Sequence, residues 1–163
     1  MPGIKKCLYM KPLNLPAFEY KIRETAGKPA IFDSFRKRFV LLTPEEWVRQ
    51  HFLQWLTLHM GYPAGRVAVE YSLHYGKLKK RADAIVFGKS GNALMIIECK
   101  APGVSLSQVV FEQLARYNFS FRVKYLAVTN GLEHYCCRMN PDQKSWTFLN
   151  DFPDYDALSG AAE

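Results

Sequence analysis

The stretch ALMIIECKAP, residues 93–102, decides the fold because it joins an apolar run to two charged residues. The run from Ala93 to Ile97 is typical of a buried β-strand. Glu98 and Lys100 follow it, separated only by Cys99. Side chains two residues apart on a strand point to the same face, so an acid and a base lie side by side next to the core. Burial of charge is costly, and the strand end therefore needs a structural or functional reason for both residues.

Apolar periodicity and turn residues predict the neighbouring elements on both sides of this stretch. A helix is expected over residues 43–60, with Thr43 as its N-cap and Glu46 completing a capping box. A second helix is expected over 105–121. The predicted strands are RVAVEYSLHY (66–75), KKRADAIVFG (79–88), ALMIIECK (93–100), VKYLAVTNG (123–131), LEHYCCRMN (132–140) and SWTFLND (145–151).

This order of elements predicts an α/β fold with a mixed sheet flanked by helices. The first three strands form an antiparallel meander, and the helix over 105–121 is long enough for a crossover that makes the next strand parallel. An N-terminal hairpin around ETAGK (24–28) and a C-terminal strand extension complete the fold class. We expect residues 1–163 to form a single domain. Its parts are a core at about 40–140, an N-terminal extended segment 1–40 and a C-terminal tail 151–163, of which ALSGAAE (157–163) is expected to be frayed.

Composition is ordinary for a globular protein, with 48% hydrophobic and 23% charged residues among 163. The net charge of +7 favours a polyanionic partner such as nucleic acid, although a few surplus surface lysines are the alternative. No apolar run approaches the ~18 residues of a membrane span. The N-terminus MPGIKKCLYM (1–10) lacks the apolar region of a signal peptide. We therefore expect no membrane association and a cytoplasmic location.

The four cysteines do not form a recognisable framework. Cys7, Cys99, Cys136 and Cys137 show neither paired disulfide spacing nor a CxxC pair with a histidine partner for zinc. Reduced thiols in a cytosol are the simplest interpretation.

A second unexpected carboxylate, Asp83, lies among apolar residues one strand before Glu98. If the connection over 86–94 makes a hairpin, the two carboxylates lie close together, which raises a pKa or requires a cation between them. Mg²⁺ (or Mn²⁺) suits two carboxylates, the backbone carbonyl of Cys99 and water. Lys100 would then orient or deprotonate an attacking water and offset phosphate charge. The alternative is an internal salt bridge at a sheet edge.

Asp83, fourteen further residues, and then Glu98-Cys99-Lys100 resemble the signature of the PD-(D/E)xK nuclease superfamily. That resemblance implies a restriction-endonuclease-like α-β-β-β-α-β core, although Ala82 replaces the proline of the family name. Over about residues 15–150 the chain more narrowly resembles the N-terminal nuclease domain of type I restriction enzyme R (motor) subunits, as a stand-alone domain protein. The segments that carry this likeness are LTPEEWVRQHFLQWL, GYP, VAVEYSL, KRADAIVF, MIIECKAP, EQLARYN and YLAVTNG.

The resemblance implies roles for individual residues. Asp83 and Glu98 would be metal ligands and Lys100 the catalytic lysine. In EQLARYN, Gln113 and Tyr117 match the family's QxxxY element, and four-residue spacing places both on one helix face, where they would orient the substrate or the lysine. A helix cap or a solvated stripe is the alternative for this pair.

The family also has a glutamate on its first helix and an acidic position on its first strand. Glu45 matches the helix position because it lies four residues before Arg49, whereas Glu46 has a capping role. Glu70 matches the strand position, with an ordinary surface residue as the alternative. The sequence leaves open which of the three glutamates completes the acidic site.

Two functions follow from this reading. The first is a Mg²⁺-dependent DNA endonuclease, and the second is a non-catalytic module that keeps the nuclease fold to bind nucleic acid or a protein partner. The chain has no GxxxxGKS/T loop and no separate target-recognition region, so either protein partners would supply the motor or the target recognition, or the chain would cut with little sequence preference. The sequence indicates neither the oligomeric state nor the target, nor does it distinguish DNA from RNA.

Overall fold

Two β-sheets and three α-helices form the part of the chain that the computed structural model describes, residues 10–142 and 144–160. The small sheet contains β1 (Ile22–Thr25), β2 (Lys28–Asp33) and β3 (Arg38–Leu41). The large sheet has the spatial order β4 (Val67–Tyr75), β5 (Leu78–Phe87), β6 (Ala93–Cys99), β7 (Tyr125–Thr129), β8 (His134–Met139) and β9 (Trp146–Phe148). The helices are α1 (Pro44–His59), α2 (Gln108–Phe121) and α3 (Tyr155–Gly160), with a 3₁₀ turn at Ala64–Arg66.

The large sheet has the predicted mixed topology. Strands β4, β5 and β6 form an antiparallel meander, and α2 is the crossover that makes β7 parallel to β6. Strands β8 and β9 continue the sheet as antiparallel neighbours. The order α1-β4-β5-β6-α2-β7 is the α-β-β-β-α-β core, so the predicted restriction-endonuclease-like fold class is confirmed.

Helix α1 begins where the sequence predicts. The Thr43 hydroxyl accepts a hydrogen bond from the Glu46 N–H at 3.1 Å, and Pro44 occupies the first helical turn. Only this half of the predicted capping box forms. The Glu46 carboxylate instead accepts hydrogen bonds from Arg36, Arg49 and Gln50, because these donors surround it in the folded protein.

Helices cover both faces of the large sheet. Alternate residues of β6 point to opposite faces, so Met95 and Ile97 pack with Phe52 of α1, whereas Ile96 packs with Leu114 of α2. This two-sided burial explains why β6 reads as a continuous apolar run. The last residues of β6, Glu98 and Cys99, lie at the C-terminal end of this strand, where the apolar run stops.

The N-terminal hairpin is confirmed, and it is larger than predicted. Strands β1 and β2 pair across the Ala26-Gly27 turn, and β3 adds a third strand to the sheet. Ile31 of this sheet packs with Leu42 and Trp47, which joins the small sheet to α1. Predictions for residues 1–9 and 161–163 lie outside the described residues.

The interpretation of the C-terminus as a frayed tail is wrong for α3. Tyr155 and Leu158 are buried in the same apolar cluster as α1. The Tyr155 hydroxyl donates a hydrogen bond to the Phe87 carbonyl at 3.0 Å, and the Tyr62 hydroxyl donates to the Pro153 carbonyl at 2.8 Å. The buried Tyr155 and Leu158 side chains and these two hydrogen bonds attach the short helix and the residues before it to the core. That residues 1–163 form a single domain stays a prediction.

Three of the four cysteines lie in the described part of the chain. Cys99, Cys136 and Cys137 are free and buried, whereas Cys7 lies outside the described residues. Burial raises the pKa of the Cys137 thiol to about 12. In the described part of the chain, no helix is long and apolar enough to cross a membrane.

Candidate active site

Asp83 in the middle of β5 and Glu98 near the end of β6 lie where the pairing between the two strands stops. The last residues paired between β5 and β6 are Ala84 and Ile97, and the two acids occupy the next positions. The Cys99 backbone N–H donates a hydrogen bond of 2.7 Å to Asp83 Oδ2, which links the two strands beyond their last paired residues. The predicted hairpin and the predicted proximity of the carboxylates are therefore present.

Two lysines flank the Glu98 carboxylate. Lys100 Nζ donates to Oε1 at 3.3 Å, while Lys80 Nζ lies 3.9 Å from Oε2. Oε2 is buried and has no hydrogen-bond partner among the described residues. Burial, and then the charge of Asp83, raise the pKa of Glu98, although both lysines act in the opposite direction. Burial and the charge of Asp83 together thus outweigh the two lysines in their effect on the pKa of Glu98.

Glu45 and Glu46 differ sharply in their surroundings. Glu45 is exposed in the first turn of α1, where partial burial and the charge of Asp83 raise its pKa and the charge of Lys100 lowers it. Glu46 is buried, and its oxygens are already bonded to Arg36, Arg49 and Gln50. Of these two glutamates, Glu45 is the one with a carboxylate near Asp83 that can still accept a ligand.

Glu70 of β4 lies opposite Asp83 on the neighbouring strand β5, because the residues on either side of Glu70, Val69 and Tyr71, pair with Ala84 and Ala82. Its φ of +52° is in the left-handed region, which costs a residue other than glycine about 1–3 kcal/mol. Its carboxylate lies 3.2 Å from Arg36 and 3.5 Å from Arg49. The two arginines hold this strained residue beside the site.

Arg36 and Arg49 form a charged network that the sequence interpretation missed. Arg36 lies in the turn between β2 and β3 and contacts Asp33, Glu46 and Glu70. Arg49 of α1 contacts Glu46 and Glu70 and lies 3.9 Å from Asp83 Oδ1. Alternating charges therefore connect the small sheet to Asp83. Asp33 and Glu46 each precede an arginine by three residues, but that spacing is too common to have identified the network.

The two residues of the QxxxY element are placed differently. Tyr117 is 40% exposed, and its ring centroid lies 4.9 Å from Lys80 Nζ, so it is connected to Glu98 through that lysine. Gln113 is exposed on α2, and no hydrogen bond joins it to another described residue of the site. Lys80 was predicted only as part of the basic run KLKKR (77–81), next to Asp83, where a phosphate backbone would pass if the site cuts DNA, with a solvated turn as the alternative. The contact of Lys80 with Tyr117 was not predicted.

The residues present fit a hard divalent cation. No group of three or more His, Cys, Asp or Glu side chains gathers around a metal position within residues 10–142 and 144–160. Mg²⁺, however, is commonly held by one or two carboxylates together with water and substrate phosphate. Asp83, Glu98 and the Cys99 carbonyl supply such oxygens. The buried Glu98 Oε2 without a hydrogen bond is the atom that most needs a positive ligand.

A cavity of about 810 Å³ lies away from these charges. It is lined by residues of α2, β8 and β9, including Phe111, Tyr135 and Trp146, and by none of Asp83, Glu98 and Lys100. The candidate site is therefore defined by its charged residues at the sheet edge and not by the depth of a pocket.

A model of the family described as "Type I restriction enzyme R protein N terminus (HSDR_N)" matches residues 44–153. The chain belongs to this family. The HSDR_N match includes Glu45, Asp83, Glu98 and Lys100, and it begins after Arg36. The predicted resemblance to the N-terminal region of type I restriction R proteins is confirmed.

One solved structure similar to this HSDR_N chain is a fragment described as an HsdR subunit of a type I restriction enzyme from Vibrio vulnificus YJ016. Sequence identity is 20% and the TM-score is 0.49, over 72% of this chain and 24% of that chain. The chain thus spans about a quarter of the length of that protein. No curated protein matches the chain.

Proposed function

We propose that this chain is a divalent-metal-dependent DNA endonuclease whose active site is formed by Asp83, Glu98 and Lys100. The single observation that carries the proposal is the end of the β5–β6 pairing, where Asp83 accepts a hydrogen bond from the Cys99 N–H beside a partly buried Glu98 carboxylate that Lys100 contacts. A salt bridge for stability is a poor explanation, because burial and repulsion leave Glu98 with a raised pKa even with two lysines nearby.

Each residue has a separate task in this proposal. Asp83, Glu98 and the Cys99 carbonyl would hold Mg²⁺ or Mn²⁺, which supplies positive charge at the phosphate and lowers the pKa of nearby water. The Cys99 N–H keeps one Asp83 oxygen in place, so the acid is oriented before substrate binds. Lys100 is about one-third exposed, at 32%, so its ammonium can leave Glu98 Oε1 to orient water or contact phosphate. Glu45 adds negative charge at the same edge.

DNA is the proposed substrate because of charge and family. The net charge is +7, and the basic run Lys77 to Arg81 ends two residues before Asp83, where a phosphate backbone would pass. Membership of the HSDR_N family associates the chain with type I restriction, in which a motor and target recognition would be provided from outside these residues. The free thiols of Cys99, Cys136 and Cys137 support a cytoplasmic location.

Cleavage by an Asp83→Asn variant tests the proposal. Supercoiled plasmid and short linear duplexes are incubated with Mg²⁺, with Mn²⁺ or with EDTA, and Asp151→Asn is the control because Asp151 is exposed elsewhere. Asparagine still accepts the Cys99 N–H, so the fold is kept while the ligand charge is lost. We expect a loss of about 100-fold or more in metal-dependent cleavage. Mutation of residues that only orient metal ligands already lowers activity about 10- to 100-fold. Wild-type rates in Asp83→Asn, or no metal-dependent cleavage by the wild type, would contradict the proposal.

A further inference from the structure

We infer that Lys80 is a second lysine of this site, whose ammonium moves away from Glu98 and binds a phosphate of the substrate strand. The Tyr117 ring supports the Lys80 side chain. The inference rests on the proposed function, because it assigns a substrate contact within the same site. It also gives Tyr117 a role that needs no contact with a metal.

The sheet register places Lys80 on the face that carries α2. Lys80 of β5 pairs with Leu73 of β4, and Leu73 packs in the apolar cluster of α2. Residues directly opposite each other on an antiparallel pair share a face, so the Lys80 stem lies on that face. Its ammonium lies between the Tyr117 ring at 4.9 Å and Glu98 Oε2 at 3.9 Å. Lys80 therefore connects α2 to the edge at which Asp83 and Glu98 meet.

Contact between Lys80 and Glu98 is loose. At 3.9 Å the ammonium is too far from Oε2 for a hydrogen bond, and Oε2 makes none with any described residue. Lys100, by contrast, donates to Oε1 at 3.3 Å. Among the described residues, the Lys80 ammonium is held by charge attraction to Glu98 and by the electron-rich face of the Tyr117 ring. A divalent cation on Glu98 would repel this ammonium, while the ring contact would remain.

Phosphate is the ligand that this released ammonium suits best. Lysine is a compact point charge on a flexible stem and contacts phosphate without strict geometry. The Lys80 side chain is 23% exposed, so its charge can reach the surface while its stem stays packed. Lys79 and Arg81 are also exposed, but alternation along β5 directs them to the face opposite Lys80. The competing explanation is that Lys80 does no more than neutralise Glu98.

Two binding measurements on the whole chain separate these explanations. Lys80→Met is compared with Lys79→Met, because the neighbouring Lys79 is exposed and alternation directs it to the other face of the strand. Mn²⁺ affinity is measured by calorimetry on the protein alone. Affinity for a fluorescent DNA duplex is measured by anisotropy in Ca²⁺ at several salt concentrations.

We expect Lys80→Met to bind Mn²⁺ at least as tightly as the wild type, since a competing positive charge is removed. The same variant should bind the duplex about threefold or more weakly, and the slope of log affinity against log salt should fall by about 0.9, the value for one phosphate. Tyr117→Leu should reproduce the loss of duplex affinity, and Tyr117→Phe should not, because it keeps the ring. Lys79→Met should have the smaller effect.

Weaker Mn²⁺ binding by Lys80→Met, or equal duplex affinity of Lys80→Met and Lys79→Met, would overturn the role of Lys80 while leaving the nuclease proposal intact. A wild type that binds neither Mn²⁺ nor the duplex would overturn both. The two failures are therefore distinguishable.

Discussion

Asp83 on β5 accepts a hydrogen bond from the backbone N–H of Cys99 on β6, just beyond Ala84 and Ile97, the last residues that the two strands pair with each other. This bond connects β5 and β6 where their backbone pairing has stopped. It holds Asp83 beside Glu98, although the two negative charges repel each other. The fold thus keeps two carboxylates that repel each other close together. Such a pair of carboxylates is typical of a site that binds a cation.

A first prediction concerns the stability cost of Glu98. Burial and the charge of Asp83 raise the pKa of Glu98 above its ordinary value of 4.5, so the folded state binds this proton more tightly than the unfolded state. Stability is then lost as pH rises from about 4.5 through the raised pKa. Glu98→Gln should melt at a higher temperature than the wild type at pH 8 in EDTA, and the difference should shrink as pH falls. A lower melting temperature for the variant at pH 8 would contradict the assigned repulsion.

The next prediction separates the two glutamates of α1. Glu45→Gln should keep stability within about 0.5 kcal/mol, because Glu45 is exposed, and should reduce metal-dependent cleavage about tenfold or more. Glu46→Gln should lower the free energy of unfolding by about 2–3 kcal/mol, since Glu46 bonds two arginines in a buried position. Urea unfolding and plasmid cleavage measure the two effects. The opposite assignment, with catalysis dependent on Glu46 at unchanged stability, would refute ours.

We expect Arg36 to contribute strongly to the free energy of unfolding. Its removal leaves the buried Asp33 and Glu46 short of a partner, so Arg36→Met should cost about 3–5 kcal/mol in urea unfolding. Lys37→Met is the matched control, because Lys37 is exposed in the same turn and should change stability by less than about 0.5 kcal/mol. Equal effects of the two variants would show that the network does not stabilise the fold.

Helix α3 should contribute to the core. Leu158 is fully buried at 0% exposure, whereas Leu58 of α1 is 62% exposed. Leu158→Ala should therefore lower the free energy of unfolding by about 2–5 kcal/mol, and Leu58→Ala by less than about 0.5 kcal/mol. A Leu158→Ala variant as stable as Leu58→Ala would indicate that the C-terminal segment does not pack on the core in solution.

Regular patterns made most of the fold predictable from the sequence. Helix α1 has a cap at Thr43 and an apolar face, and β6 reads as one apolar run, so both could be assigned locally. Helix α3 was missed because its six residues are too few to show a period, and its order depends on Tyr155 and Leu158 reaching a distant cluster. Strand β3 was missed because its pattern becomes informative only next to β2.

The candidate site divides in the same way. Asp83 and Glu98 could be predicted because each is a charge in an apolar strand. The contacts of Arg36 with Glu70 and of Lys80 with Tyr117 join residues more than thirty positions apart, and nothing in the local sequence indicates them. The left-handed backbone of Glu70 is likewise a product of those tertiary contacts.

Calorimetric titration of Mn²⁺ and Mg²⁺ into the wild type and into Glu98→Gln, with and without a short DNA duplex, tests the central claim most directly. The account predicts that the wild type binds the ion, more tightly with the duplex present, and that the variant loses this binding while remaining folded. Equal binding by the two proteins, or no binding by the wild type even with DNA, would contradict a metal site at Asp83 and Glu98.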